Sequence, residues 1–288
     1  MNRVEAMRLI KMTGGFGNQM FIYAFYLRMK KRYPKTRIDL SDMVHYHAHH
    51  GYEMNRVFRL PSTEFCINRS LKKVIEFLFF KTILERKQKQ DTYWAFEKDY
   101  ASWPLVYFKG FYQSERYFSD IQDEVRQAFT FDLSCANAQS LAMMKQIDND
   151  THAVSLHVRR GDYLKPPFWD SIGCVCQEPY YHRATAEMEK RVDAPVYYVF
   201  SEDIAWVKEH LNLPQAVYID WNQGADSWQD MMLMSHCRHH IICNSTFSWW
   251  GAWLNPRKDK IVMMPDRWFH YNEFTQIYPK DWVKIATE

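Results

Sequence analysis

The chain has 288 residues, 47% hydrophobic and 25% charged, which is enough to bury a core in one large domain or two of moderate size and excludes a disordered chain. A net charge of +3 suits an anionic ligand or a membrane surface, but it falls short of the basic bias of a nucleic-acid binder, and no basic stripe marks a DNA or RNA site. Cys66, Cys135, Cys174, Cys176, Cys237 and Cys243 show no CxxC spacing, the start lacks a signal-peptide core and no apolar run reaches about 20 residues, so reduced thiols in a cytoplasmic protein are expected.

Arg8–Met12 reads as a strand that runs into Thr13-Gly14-Gly15-Phe16-Gly17-Asn18-Gln19, followed by a helical pattern from about Met20 to Tyr33 that stops at Pro34. A glycine turn between strand and helix lets backbone approach a ligand, and the helix start offers N–H groups that favour negative charge. The spacing departs from G-x-G-x-x-G, and Asp39 is the one acidic residue placed to follow a second strand, so the turn reads as a ligand loop rather than a dinucleotide site. His45, His47, His49 and His50 tempt a metal assignment, but no Cys or carboxylate spacing supports it and a structural or surface reading is preferred. Residues 61–104 fit no motif and are the expected seat of acceptor specificity. Within them Val74–Leu84, bracketed by Lys72, Lys73, Glu85, Arg86 and Lys87, suits a buried or an interfacial helix. Leu105–Tyr112 reads as a strand, and Gln113-Ser114-Glu115 opens a helix in which Phe118, Ile121, Val125 and Phe129 recur at helical intervals with Ser114 as N-cap. A further helix covers Ser140–Ile147, and the polar Asp148–Thr151 places a domain boundary, giving domains 1–148 and 149–288.

The second half alternates strands (Ala153–Val158, Val196–Phe200, Ala216–Ile219, His240–Cys243, Ile261–Met264) with helices (Glu178–Val192, Ile204–Leu211, Asp226–Cys237, Phe247–Leu254), which implies a parallel sheet with right-handed crossovers. Three of these strands end in chemistry: Arg159, Arg160 and Asp162 after the first, Ser201, Glu202 and Asp203 after the second, and Asn244, Ser245, Thr246 and Ser248 after the fourth. Parallel strands share a C-terminal edge, so the three groups face one crevice. Guanidinium forks match phosphate oxygens two at a time, hydroxyls and N–H groups at a helix start suit phosphate, and Glu202 or Asp203 can accept hydrogen bonds from a purine such as guanine. Alone, each group reads as a helix cap or a surface salt-bridge network; together on one edge they favour a nucleotide-diphosphate site. Asp162 is the first candidate for a base and His157 the second, while Asp162 serves equally well as a partner that orients Arg159 or Arg160. Trp249, Trp250 and Trp253 share a broad helix face and read as core rather than as a sugar platform. The Arg160-Gly161-Asp162 tripeptide matches an adhesion signal by chance, inside a loop with a better explanation.

Five blocks, taken in order, resemble the α-1,2-fucosyltransferases of glycosyltransferase family 11: Thr13-Gly-Gly-Phe-Gly-Asn-Gln-Met-Phe21 with Tyr23-Ala24, Gly110-Phe-Tyr-Gln-Ser-Glu115, His157-Val-Arg-Arg-Gly-Asp-Tyr163, Phe200-Ser-Glu-Asp203 and Asn244-Ser-Thr-Phe-Ser-Trp-Trp-Gly-Ala252. Ile22 stands where a glutamine is expected and Tyr112 where a Phe is common. The resemblance implies an α/β fold of the GT-B type, with two Rossmann-like domains facing a cleft. It implies inverting transfer of fucose from GDP-β-L-fucose to the 2-hydroxyl of a terminal galactose, with no metal and no other cofactor. By the same likeness Arg159 and Arg160 include the arginine on the donor pyrophosphate, His157 and Ser201–Asp203 lie near guanosine, and Gly15, Gly17 and Asn18 line the cleft from the acceptor-side domain. The implied partners are GDP-fucose and a galactose-terminated glycan, and the Val74–Leu84 segment leaves peripheral contact with the inner face of a membrane open. Three other readings stay open: a transferase of another nucleotide sugar, a non-catalytic nucleotide- or glycan-binding protein, and an oxidoreductase built on the Gly14-Gly15 turn.

Overall fold

Strands covered on both faces have no solvent side, so they read as runs of apolar and β-branched residues and pair in parallel. The computed structural model, which describes residues 7–43, 51–60, 85–87, 105–271 and 276–288, contains two such sets. They divide the chain into two units, Met1–Asp132 and Leu133–Glu288. Cys66, the cluster His45, His47, His49 and His50, and the Val74–Leu84 segment lie outside the described residues.

In the first unit, β1 (Met7–Lys11), β2 (Thr36–Asp39), β3 (Glu85–Lys87) and β4 (Leu105–Lys109) form a parallel sheet in the order β2-β1-β4-β3. Leu9 pairs with Arg37 on one side and Tyr107 on the other. Helix α1 (Phe16–Arg32) starts earlier than the apolar pattern predicts, because extended Gly15 occupies the cap position and its carbonyl accepts from the Asn18 and Gln19 N–H groups at 2.9 and 3.0 Å. Its first three turns are buried almost all round, and its last turn carries Lys30, Lys31 and Arg32, which suits the negative end of the helix dipole. A short helix, α2 (Met54–Val57), follows. The helix expected after Ser114 is broken into a 3-10 turn, Glu115–Tyr117, and α3, Gln122–Ala128. Phe118, Ile121, Val125 and Phe129 are nonetheless all buried, so the spacing identified the packed face although not the break. Ser114 caps as expected, its Oγ accepting from the Arg116 N–H at 3.4 Å.

The second unit is built on six parallel strands in the order β10-β9-β8-β5-β6-β7. They are β5 (Ala153–Val158), β6 (Val196–Ser201), β7 (Ala216–Ile219), β8 (His239–Ile241), β9 (Val262–Pro265) and β10 (Val283–Ile285). The helices are α4 (Ala138–Asn149), α5 (Glu178–Glu189), α6 (Ile204–His210), α7 (Trp228–His236) and α8 (Thr246–Leu254). The boundary expected at 148/149 falls at the end of α4. That helix packs on α7, and its Asn137 cap donates from Nδ2 to Asn222 Oδ1 at 2.9 Å, which assigns α4 to the second unit. Trp249, Trp250 and Trp253 are core, with Trp249 Nε1 donating to the Ile277 carbonyl at 2.9 Å. Gly251 lets α7 and α8 approach, since a Cβ there would lie 2.9 Å from Met234 Cβ. The five cysteines among the described residues are free, and no described helix is long and apolar enough to cross a membrane.

Candidate active site

Because β8, β5 and β6 are neighbours, the loops that follow them meet at one sheet edge in the second unit. Arg159 leaves β5 and donates from Nη2 to Asp162 Oδ1 at 2.6 Å, while Nη1 is paired with Glu202 Oε1. Its guanidinium also lies 5.3 Å from the Tyr163 ring centre. Arg160 donates from Nε to Asp203 Oδ2 at 2.9 Å and sits 4.1 Å over the Trp206 ring, which stacks in turn on His210 at 4.6 Å. Asp203 is also the N-cap of α6: its Oδ1 accepts from the Trp206 N–H at 3.1 Å. That bond, with help from Arg160, holds the Asp203 carboxyl below its ordinary range. Both arginines therefore have locked side chains, 26% and 16% exposed, with donor capacity still to spare in forks of five N–H groups each.

His157 is buried beneath them. Burial first, and the Arg159 charge second, push its pKa down to about 3, so the ring is neutral at physiological pH. Its Nδ1 is 3.3 Å from Cys243 Sγ, and burial pushes that thiol up to about 11. On the third loop, Asn244 uses both amide hydrogens on the protein itself: Nδ2 donates to the Ile172 and Trp268 carbonyls, each at 2.9 Å. Ser245 caps α8 by accepting from the Phe247 N–H at 3.3 Å, and buried Ser248 donates back to the Ser245 carbonyl at 3.4 Å. Thr246 is the half-exposed hydroxyl of this group.

In the first unit, the turn after β1 is held by side chains three and four residues into its helix. Gly14 has φ of 81°, and a Cβ there would lie 3.0 Å from Asn18 Nδ2 and 3.1 Å from Phe111. Buried Gln19 donates to the Gly14 carbonyl at 3.0 Å and the Gly51 carbonyl at 2.7 Å, and its Oε1 accepts from the Glu53 N–H at 3.0 Å. Asn18 Oδ1 accepts from Gln113 Nε2 at 2.7 Å. Asp39 is already engaged by the Tyr107 hydroxyl at 2.5 Å and the Ser41 N–H at 2.9 Å, a structural role that leaves the dinucleotide reading without its acidic partner.

The structure thus joins Arg159, Arg160, Asp162, Glu202 and Asp203 in one network and places His157, Ser245, Thr246 and Ser248 on the same unit's edge, while Gly15, Gly17 and Asn18 belong to the first unit. Sequence reasoning missed Tyr163, Trp206 and Gln113 as supports. The signal for Gln113 was its place in the Gly110–Glu115 block; nothing in the sequence singles out Trp206. It also missed the polar network after β7, where Asn222 accepts from Asn137 and Ser140 and donates to Asp230 Oδ1 at 2.8 Å. Burial pushes the Asp230 carboxyl up to about 8. Among the described residues, no group of three or more His, Cys, Asp or Glu side chains is placed to hold a metal.

Two units, each a parallel sheet with helices, give an α/β fold of the GT-B type. The fold matches a solved NodZ α-1,6-fucosyltransferase co-crystallised with GDP, with a TM-score of 0.55 at 14% identity over 90% of this chain and 95% of that one. The model of glycosyl transferase family 11 matches residues 1–286, and the chain belongs to that family. It is 32% identical to an alpha-1,2-colitosyltransferase of Escherichia coli over 287 residues, 96% of this chain and 97% of the relative. It is also 32% identical to human galactoside alpha-(1,2)-fucosyltransferase 1 over 160 residues, 52% of this chain and 43% of the human one.

Proposed function

We propose that this glycosyltransferase is an inverting galactoside α-1,2-fucosyltransferase that moves fucose from GDP-β-L-fucose to the 2-hydroxyl of a terminal galactose, without a metal. The observation that carries the reading is the arginine pair anchored by its own carboxylates at the end of β5. Departure of GDP develops charge on its β-phosphate, and a preorganised guanidinium stabilises that charge at no cost of reorganisation. Arg159 is assigned to the phosphates and Arg160 to holding the loop beside them. Thr246 and the N–H groups at the start of α8 supply further donors, and Ser245 and Ser248 shape that start. Glu202 and Asp203 face the nucleoside side, and Asn244 acts by tying the 172 and 268 loops together. A ring with a pKa near 3 is a weak base, so His157 serves as a neutral hydrogen-bonding group rather than a proton acceptor. Asp162 is read as the residue that orients Arg159. Gly15, Gly17 and Asn18 are assigned to a ligand loop of the first unit.

A specific observation favours a second donor. One of the likenesses that span nearly the whole chain is to a colitosyltransferase, whereas the human fucosyltransferase matches about half of it, so the GDP derivative of colitose is a competing substrate. The deciding experiment follows GDP release in EDTA from GDP-fucose and from GDP-colitose, with lactose, N-acetyllactosamine or galactosyl-β-1,3-N-acetylhexosamine as acceptor. Acceptor-dependent release from GDP-fucose supports the reading. Release confined to GDP-colitose replaces the donor, and loss of activity in EDTA that added metal restores removes the metal-free mechanism.

A further inference from the structure

Among the described residues, the large apolar side chains left exposed are Leu133, Leu164, Phe168, Trp169 and Tyr271. Four of these five lie on two segments that are hydrogen-bonded to each other, since the His270 N–H donates to the Ser171 carbonyl at 2.9 Å. Asn244 joins the same two segments through the Ile172 and Trp268 carbonyls. The patch is also fastened to the arginine network. Leu164 follows Tyr163, whose ring faces the Arg159 guanidinium and whose hydroxyl donates to the Asn244 carbonyl at 3.2 Å.

The loop that carries these side chains is closed on itself. The Phe168 and Trp169 N–H groups donate to the Lys165 carbonyl at 2.9 and 3.2 Å, and Gly173 returns so close that a Cβ would lie 2.0 Å from the Tyr163 carbonyl oxygen. Gln177 Nε2 fixes that return at the Gly173 carbonyl, 2.6 Å away. Phe168 and Trp169, 42% and 38% exposed, are therefore held out to solvent on a tied scaffold, with the Phe269 and Tyr271 rings 5.2 Å apart on the neighbouring segment.

We propose that Phe168 and Trp169, supported by Tyr271, form the platform on which the acceptor pyranose lies. The inference rests on the transferase reading above and names residues for its acceptor side. A pyranose offers an apolar face of C–H groups and a rim of hydroxyls, and aromatic side chains match the former while leaving the latter to hydrogen-bond. The loop that carries these rings leaves the arginine network directly, since Tyr163 faces the Arg159 guanidinium and its hydroxyl donates to the Asn244 carbonyl. Charge separates a sugar from a membrane as the occupant. Between Leu164 and Ser171 the loop carries one Lys165 and one Asp170, which cancel, whereas an anionic bilayer is recognised by an excess of lysine and arginine.

The test combines binding and kinetics on the full chain. Saturation-transfer NMR with methyl β-galactoside reads sugar binding directly in the wild type, Phe168→Ala, Trp169→Ala and the conservative Trp169→Phe, and calorimetry reads GDP affinity in each. The platform requires galactoside binding by the wild type and a roughly 3- to 10-fold loss for each alanine variant, the size of one stacking contact. It also requires recovery in Trp169→Phe and an unchanged Kd for GDP, which shows that the variants are folded. No galactoside signal in the wild type, or one the alanine variants leave intact, overturns the platform. Loss of binding to phosphatidylglycerol vesicles in place of sugar binding reassigns the patch to a membrane. If the platform behaves as stated while neither GDP-sugar is turned over, the donor assignment fails and the sugar site stands.

Discussion

Arg160 and Trp206 are stacked, the guanidinium carbon 4.1 Å from the ring centre, and Asp203 ties them a second time by accepting from Arg160 Nε and from the Trp206 N–H. A cation over an indole face is worth about 0.5–2 kcal/mol depending on how dry the contact is. Trp206→Ala removes the ring and leaves the Asp203 bond. The expected outcome is a roughly 3- to 10-fold weaker Kd for GDP by calorimetry, with a melting temperature lowered by about a few degrees. A large drop in melting temperature with normal GDP binding would make the stack a feature of the fold alone.

Arg159 bridges Asp162 and Glu202 with two different nitrogens, a span a single ammonium does not reproduce. Arg159→Lys keeps the charge and loses the fork. It is expected to weaken GDP binding by about tenfold or more, in line with the loss of a charge-assisted hydrogen bond of about 1.5–3 kcal/mol.

Asp162→Asn separates orientation from proton transfer. With Asp162 bonded to Arg159 at 2.6 Å, the variant is expected to raise the Kd for GDP and the donor KM together. Near-normal GDP affinity with turnover lost by two orders of magnitude or more would instead make Asp162 the base, at the scale of general-base catalysis, roughly 10²–10⁴.

The raised Asp230 carboxyl predicts an inverted pH dependence of stability. A folded pKa of about 8 against an unfolded value near 3.9 means the native state binds the extra proton, so this contribution is present below about pH 4 and is lost as pH rises through about 8. Asp230→Asn keeps a neutral side chain at every pH. Its melting temperature relative to wild type is expected to climb between about pH 5.5 and about pH 8.5. A difference that is flat across that window would show that Asp230 is ionised throughout.

Gly14 takes φ of 81° within reach of Asn18 and Phe111. Gly14→Ala puts an L-residue in the left-handed region, at a cost of about 1–2 kcal/mol, and presses on an Asn18 side chain already held by Gln113. Chemical denaturation is expected to register that loss.

The strands Ala153–Val158 and Ala216–Ile219 were legible to the residue, because Val154, Leu156 and Val158 alternate with Ser155 and His157 in the first, Val217, Tyr218 and Ile219 run together in the second, and both have polar flanks. Glu85–Lys87 and Val283–Ile285 were not, since three residues show no period and the first segment is wholly charged. The break at Phe118–Ile121 was hidden for a different reason: the apolar spacing continues across it, so the burial pattern of a helix persists where the helix does not. At the site, the sequence marked the residues that cluster but not how they are spent. Asn244 sits in a motif suited to a ligand, yet its amide is committed to two backbone carbonyls brought close only by the folding of the 172 and 268 loops.

The two site arginines sit among three acids, Asp162, Glu202 and Asp203, so the pocket holds no surplus of positive charge. On the proposed reading, an arriving diphosphate takes up the donors that each guanidinium fork has left beside its resident carboxylates. With its cations already balanced by acids, the site offers orthophosphate or sulfate little on charge alone, and a nucleotide-sugar would have to add contacts through its nucleoside and sugar.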